Sequence, residues 1–163
     1  MAYESAIVVL VPEADGLIER VRGAGGIPAH VTLLYPFAPP EAIDEALLAA
    51  LTEVLSRHRA FELTLERMGR LPGVVYLEPD PPEPFVRLIE ALVARFPEYP
   101  PYGGVFDHIL PHLTVVEEDD LAAAEAAAAE PPIRTTVRDV AVLEELERPW
   151  AEWRLRTRLP LAG

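Results

Sequence analysis

The chain has 163 residues, half of them hydrophobic and a quarter charged, which is typical of one globular domain with a substantial core. Its 14 basic residues are all arginines and are outnumbered by 27 acidic residues, so the net charge of −13 argues against non-specific binding of long nucleic acid. Because cysteine and lysine are absent, disulfides, thiolate nucleophiles, Schiff bases and lysyl-nucleotide intermediates are excluded.

Strands and helices alternate in the first half of the sequence. Apolar β-branched runs predict strands, and apolar residues at helical spacing predict helices that end at glycine or proline clusters. In chain order, the predicted elements are a strand at 3–11, a helix at 13–22, a strand at 30–37 (HVTLLYPF), an amphipathic helix at 41–57 and a strand that begins at Phe61.

The second half repeats this order of elements. They are a strand at 74–77, a helix at 84–96, a strand at 112–116, an alanine-rich helix at 118–130 and a strand at 133–143, with an extra strand at 150–159. We therefore predict a single domain, 1–163, with two pseudo-symmetric lobes at approximately 1–72 and 73–163. Amphipathic, hairpin-linked strands favour an α+β fold with mainly antiparallel sheets and helices outside.

A His-x-Thr tripeptide occurs in the second predicted strand of each copy, at His30 and Thr32 and again at His112 and Thr114. With four histidines and seven threonines in the chain, chance gives roughly 0.2 such matches. Two matches at corresponding places in a repeat therefore indicate a shared site, whereas a lone match is typical of a histidine beside a threonine in a half-buried strand.

Residues i and i+2 of a strand point to the same face, so each histidine projects together with its threonine. If the two lobes pack with these faces opposed, two imidazoles and two hydroxyls line one groove. A neutral histidine then takes a proton from the attacking water or hydroxyl, and a protonated histidine gives one to the leaving oxygen. The hydroxyls donate hydrogen bonds to the phosphoryl oxygens, where charge gathers in the transition state. This equipment suits phosphodiester cleavage and uses no metal or other cofactor.

The segments HVTLLYPF and PHLTVV resemble the two His-x-Thr signatures of the 2H phosphoesterase superfamily, most closely its 2′-5′ RNA ligase-like, or cyclic phosphodiesterase, branch. The resemblance covers nearly the whole chain. It implies a bilobal, pseudo-twofold fold in which two mainly antiparallel sheets line a central groove. It also implies a metal-independent hydrolase acting on 2′,3′-cyclic or 2′-5′-linked nucleotide phosphodiesters or on ADP-ribose cyclic phosphate. By motif position it implies that His30 and His112 are catalytic and that Thr32 and Thr114 bind the phosphate.

Two alternatives to an enzyme remain open from the sequence. One is a non-catalytic module that binds nucleotides or RNA ends in the same groove, and the other is a protein-interaction domain in which the histidines are incidental. For the enzyme, the expected substrate is a small nucleotide or an RNA 3′-end cyclic phosphate. No membrane helix or signal peptide is evident, and the lack of cysteine favours the reducing cytoplasm, so we expect a cytoplasmic monomer without a membrane partner.

Other residues were weighed for secondary roles. Phe37, Tyr76 and Phe106 lie near predicted strand ends, where a ring can stack on a base, although core packing is the commoner role. A row formed by Arg154, Arg156 and Arg158 shares one strand face and can either steer a phosphate or form a solvated face. For His108, a surface or supporting role is favoured over a metal site shared with His112. His58 is expected to have a structural role, because cationic groups at a helix C-terminus favour the helix dipole.

Overall fold

The computed structural model describes residues 4–23, 26–104, 109–147 and 152–163. Within these ranges, eight strands and four α-helices account for the regular structure. The strands are β1 (Ser5–Leu10), β2 (His30–Leu34), β3 (Phe61–Leu71), β4 (Val74–Asp80), β5 (Leu113–Val116), β6 (Ile133–Val137), β7 (Asp139–Glu147) and β8 (Glu152–Pro160). The helices are α1 (Asp15–Arg22), α2 (Glu45–Leu55), α3 (Glu83–Arg95) and α4 (Leu121–Ala129).

All eight strands join one antiparallel sheet in the order β6-β3-β4-β5-β2-β1-β7-β8. The predicted α+β fold with two lobes is confirmed, but the two expected sheets are continuous because β2 and β5 pair at the centre. Each lobe of the sheet combines strands from both halves of the sequence, since β3 pairs with β4 and β6 whereas β7 pairs with β1 and β8. The lobes of the sheet therefore do not coincide with the sequence halves 1–72 and 73–163.

The predicted strand at 133–143 is wrong in one respect, because the structure divides it at Arg138. The residues before this point pair with β3 in one lobe, and those after it pair with β1 in the other. Since a single residue separates β6 from β7, the sheet must curl until these strands meet. A parallel bridge between Arg59, just before β3, and Ala162, just after β8, joins the two ends of the curled sheet at the same place.

The main core lies between one face of the sheet and the helices. Alternation places Val31, Leu33, Leu113 and Val115 on this face, and all four are at most 1% exposed. Helix α1 packs on β5 and α3 packs on β2, so each central strand is supported by a helix from the other half of the chain. The central strands are thus held firmly from behind while their opposite face stays open.

Local capping explains where two helices begin. Asp44 and Asp120 each accept a hydrogen bond from the backbone N–H three residues later, so α2 and α4 start after the predicted positions 41 and 118. The alanines of α4 let the helix approach β3 and β4 closely, and Ala123, Ala124 and Ala127 are buried. In the described part of the chain, no helix combines the length and apolarity needed to cross a bilayer.

Candidate active site

The two His-x-Thr pairs lie on the open face of the sheet, opposite the helices. His30 and Thr32 belong to β2, Thr114 belongs to β5, and His112 immediately precedes β5; all four are half-buried. The alternate residues Val31 and Leu113 point into the core and are fully enclosed. Burial of these residues fixes which way the strands face and thereby turns all four polar side chains outward.

The strand register brings the two pairs together. Val31 is opposite Leu113 in the antiparallel β2–β5 pair, and one step to either side places His30 opposite Thr114 and Thr32 opposite His112. The histidines are therefore diagonal neighbours, a relation in which residues of paired strands are about 7–8 Å apart, and so are the threonines. A local twofold axis runs between Val31 and Leu113, and the four side chains surround it. This spacing leaves room for one phosphate between two imidazoles.

Both imidazoles are oriented in the same way. Nδ1 of His30 donates to the carbonyl of Pro28 at 2.7 Å, and Nδ1 of His112 donates to the carbonyl of Leu110 at 2.6 Å. A carbonyl only accepts, so in each neutral ring the proton is on Nδ1 and the lone pair is on Nε2. The backbone two residues upstream thus leaves Nε2 of both histidines as the ring nitrogen with a lone pair that can accept a proton.

The environment of His30 favours its neutral form. Burial is the main cause that lowers its pKa from the ordinary value of 6.5, and the positive charges of Arg22 and of protonated His112 lower it further. The hydrogen bond to the Pro28 carbonyl acts in the opposite direction but does not offset these effects. At neutral pH, Nε2 of His30 is therefore ready to accept a proton.

A cleft of about 330 Å³ contains the two His-x-Thr pairs and has unequal walls. On one side lies Tyr102, which adopts the left-handed conformation (φ 50°) and donates its backbone N–H to the carbonyl of Tyr35 at 2.6 Å. Its hydroxyl hydrogen-bonds to Thr32. Burial and the nearby Glu117 carboxylate raise the pKa of Tyr102, so the phenol stays protonated near neutral pH.

An aromatic and apolar wall continues from Tyr102. The Tyr35 ring meets Tyr102 edge to face with centroids 6.2 Å apart, and Trp153 meets Tyr35 in the same way at 6.1 Å. Beneath them a small buried cluster is formed by Ala6, Val8, Ala141 and Leu143. This wall is well suited to a flat ring, because aromatic side chains offer large apolar surfaces that tolerate any base.

Tyr76 supports His112 from the neighbouring strand β4. It lies opposite Thr114 in the β4–β5 register, is only 6% exposed, and meets the His112 ring at 5.7 Å between centroids. Gly69, opposite Tyr76 on β3, leaves the space for its ring, since a Cβ there would lie 2.4 Å from the Tyr76 Cζ atom. Tyr76 is therefore beside the site, as expected, but its burial suits it to holding His112 rather than stacking on a base.

The comparison with known proteins agrees with this geometry. A family model described as the 2′-5′ RNA ligase superfamily matches residues 11–149, which is most of the chain. The chain belongs to the 2′-5′ RNA ligase superfamily. The resemblance to 2H phosphoesterases found in the sequence is thereby confirmed, and both His-x-Thr pairs fall within the matched region.

Solved structures show how widely this superfamily fold is shared. The LigT protein of E. coli in complex with 3′-AMP is 16% identical over 100% of both chains, with a TM-score of 0.66. The TT0787 protein of Thermus thermophilus is 22% identical over 100% of this chain and 99% of its own, with a TM-score of 0.68. At these identities the similarity establishes the fold. No curated protein sequence matches the chain significantly.

Phe37, which was considered for base stacking, does not contribute an open ring to the cleft. Phe37 is 4% exposed and packs against Phe96 and Tyr99 with centroids 5.4 and 5.2 Å away, so it belongs to the core. The physical reason is that β2 ends at Leu34, and the chain turns inward before Phe37. Phe106 and His108 lie outside the described residues.

The three arginines of the row on β8 form ion pairs with carboxylates of β7. Arg154 and Arg156 both donate to Glu144, which is buried on β7, and Arg156 also donates to the carbonyls of Pro40 and Ile43 at 3.0 and 2.6 Å. Burial tends to raise the pKa of Glu144, but the hydrogen bonds and charges of the two arginines lower it. Arg158 pairs with Asp139 at 3.4 Å. None of these arginines lines the cleft, so the row is structural.

This arrangement predicts unequal stability losses along one strand. Arg156→Ala should lower the free energy of unfolding by about 2–3 kcal/mol, because the Glu144 carboxylate is 2% exposed and loses a charged donor. Arg158→Ala, which breaks an exposed pair, should cost less than about 1 kcal/mol. Since the folded-state pKa of Glu144 is lowered, the Arg156 contribution is present at neutral pH and fades as pH falls through that pKa. Urea unfolding at two pH values measures both effects, and equal losses for the two variants would contradict this account.

The sequence alone did not indicate that Arg22 and the aromatic residues line the cleft. Tyr35 follows β2 directly, but Tyr102 and Trp153 come from a loop and from the last strand, and only the folded chain brings them together. In the described residues, no group of three or more His, Asp or Glu side chains is arranged to hold a metal ion. Arg22 is the only arginine among the described residues that line the cleft.

Proposed function

We propose that this chain is a phosphoesterase that hydrolyses a 2′,3′-cyclic or 2′-5′-linked nucleotide phosphodiester, at a free nucleotide or an RNA end, by two-histidine general acid/base catalysis without a metal ion. One observation carries the proposal: the register of β2 and β5 places two equivalent imidazoles, each with Nε2 as its exchanging atom, diagonally across one phosphate-sized gap. Superfamily membership and the LigT-like fold support the same chemistry.

In the proposed reaction the two histidines have different roles. His30, held neutral by its surroundings, accepts a proton from the attacking water as the oxygen bonds to phosphorus. The bond between phosphorus and the leaving ribose oxygen breaks, and protonated His112 supplies the proton that this oxygen requires. Thr32 and Thr114 donate hydrogen bonds to the non-bridging oxygens, whose charge grows in the transition state.

The pH dependence of kcat/KM tests this assignment of roles. We expect a bell-shaped profile whose acidic limb, the deprotonation of His30, lies below the ordinary histidine pKa of 6.5. Arg22→Gln should move that limb to higher pH, because removing a nearby positive charge makes protonated His30 easier to form.

The matched control for that shift is Arg20→Gln on the same helix, whose guanidinium pairs with Glu130 at 2.5 Å and lies outside the cleft. It should leave the acidic limb unchanged. A profile with a single titrating limb in the wild-type protein would contradict a mechanism that needs one neutral and one protonated histidine.

A nucleoside portion of the substrate fits the aromatic wall. Base stacking on an aromatic side chain contributes about 1–3 kcal/mol, so Trp153→Ala should raise KM for a 2′,3′-cyclic nucleotide by roughly 5- to 150-fold while kcat changes little. Leu155→Ala on the same strand removes an exposed side chain, 42% accessible, and serves as the control. An unchanged KM in Trp153→Ala would remove this wall from the substrate site.

The first assay is hydrolysis of 2′,3′-cyclic and 2′-5′-linked nucleotides in the presence of EDTA, with product followed by ³¹P NMR. Turnover that resists the chelator supports the proposal, and turnover lost with the chelator contradicts its metal-independent form. Tight nucleotide binding without any product would instead identify a binding module that uses the same cleft.

A further inference from the structure

A second pocket, unrelated to the His-x-Thr pairs, lies where the two edges of the sheet meet. Its volume is about 400 Å³, and we refer to it as the seam pocket. Its walls are the segment between α2 and β3, the first residue of β3 and the first turns of α3. The residues that line it include Arg57, His58, Arg59, Phe61, Arg87 and Leu88. The seam pocket shares no lining residue with the catalytic cleft.

The charge of the seam pocket is opposite to that of the whole protein. Three of the 14 arginines and one of the four histidines line it, although the chain carries 27 carboxylates and a net charge of −13. Among the described residues, neither Arg59 nor Arg87 has a carboxylate within 4.0 Å. In the described part of the chain, the one carboxylate that pairs with Arg57 is the exposed Glu53, which competes weakly with a ligand.

The backbone that carries these positive side chains is fixed by hydrogen bonds and by helix α3. The backbone of Arg59 bridges to Ala162, and the carbonyl of His58 accepts the N–H of Ala162 at 2.8 Å. Arg87 projects from α3, whose neighbouring Leu88 is 1% exposed in the core. Like charges held close together repel one another and oppose folding. At His58, partial burial and then the positive charge of Arg87 lower the pKa of the imidazole.

The remaining walls of the seam pocket are apolar and suit the organic portion of a ligand. Phe61 is half-buried, meets Phe85 edge to face at 5.1 Å, and lines the seam pocket together with Pro84 and Leu88. Arginine forks match the oxygens of a phosphate, and an apolar wall matches a carbon skeleton attached to it. We infer that the seam pocket binds a small organic phosphate, with its phosphate between Arg59 and Arg87 and its organic portion against Phe61.

Phenyl phosphate is a suitable probe because it carries one phosphate and one flat apolar group. In NMR titrations the His58 imidazole resonance, assigned with His58→Asn, should move saturably and its pKa should rise when the dianion binds. Arg59→Gln and Arg87→Gln should each weaken the apparent affinity by about tenfold or more, since each removes a charged, forked donor.

Two comparisons keep this inference separate from general charge effects and from the catalytic cleft. Arg134→Gln removes one exposed arginine from the edge strand β6, outside the seam pocket, and should leave the affinity unchanged. Inorganic phosphate, which lacks the organic portion, should bind more weakly than phenyl phosphate. The Arg59 and Arg87 variants should hydrolyse cyclic nucleotides like the wild type, so the inference stands or falls independently of the proposed function.

Three results would overturn the inference. The first is a His58 resonance that does not move, or moves without saturation, while the cleft histidines respond. The second is an equal loss of affinity in the Arg134→Gln variant, which would show that net charge alone attracts the ligand. The third is equal affinity for inorganic phosphate, which would remove the apolar wall from the site.

Discussion

His30→Ala and His112→Ala are each expected to lower kcat/KM for a 2′,3′-cyclic nucleotide by about 100-fold or more. Proton transfer by a positioned side chain contributes about 10²–10⁴-fold, and in the proposed mechanism the two histidines serve opposite ends of the same displacement. Their Nε2 atoms are presented by equivalent hydrogen bonds to Pro28 and Leu110, so neither can replace the other without moving the backbone.

The double variant distinguishes joint action from two separate contributions. Because the groups act in one chemical step, losing both should cost little more than losing either alone. His58→Ala is the matched control, since it removes a histidine that lies outside the cleft. Losses that multiply in the double variant, or a comparable loss in His58→Ala, would contradict the two-histidine mechanism.

Thr32→Val and Thr114→Val are expected to have the second-largest effects, each lowering kcat by on the order of tenfold to a hundredfold. Valine keeps the shape of threonine but removes the donor that faces the phosphoryl oxygens, and loss of one such donor is costly in the transition state. The register places each threonine opposite the histidine of the other strand, so in the proposed mechanism both hydroxyls serve the same phosphate.

Thr136→Val on β6 is the control for these substitutions, because that residue is exposed on an edge strand away from the cleft. Separate measurement of kcat and KM is needed. If a hydroxyl contributed only to ground-state binding, its removal would raise KM and leave kcat unchanged. That outcome for both threonines would assign them to substrate binding rather than to transition-state stabilisation.

The candidate site was predictable because it depends on local rules. Period-two alternation alone places His30 with Thr32 and separates them from Val31, and the same holds for His112 and Thr114. The repeat of elements then indicated that the two pairs occupy equivalent strands. The β2–β5 pairing at Val31 and Leu113, which brings the pairs onto one surface, required the structure.

The features that were not predicted depend on long-range packing. The apolar run at 133–143 reads as one strand, and only the change of pairing partner at Arg138 reveals two. Phe37 was considered for the cleft because it follows the His30 motif, yet its ring turns towards Phe96 and Tyr99. Tyr102 and Trp153 gave no local signal, since their role depends on contacts across distant parts of the chain.

The position of a bound phosphate relative to the two histidines tests the central claim most directly. A crystal structure with a nucleoside 3′-monophosphate, a product-like ligand, should show oxygens of one phosphate within hydrogen-bonding distance of Nε2 of both His30 and His112, with the base beside Trp153. A phosphate held by only one imidazole, or bound elsewhere while the cleft is filled by the nucleoside alone, would contradict the account.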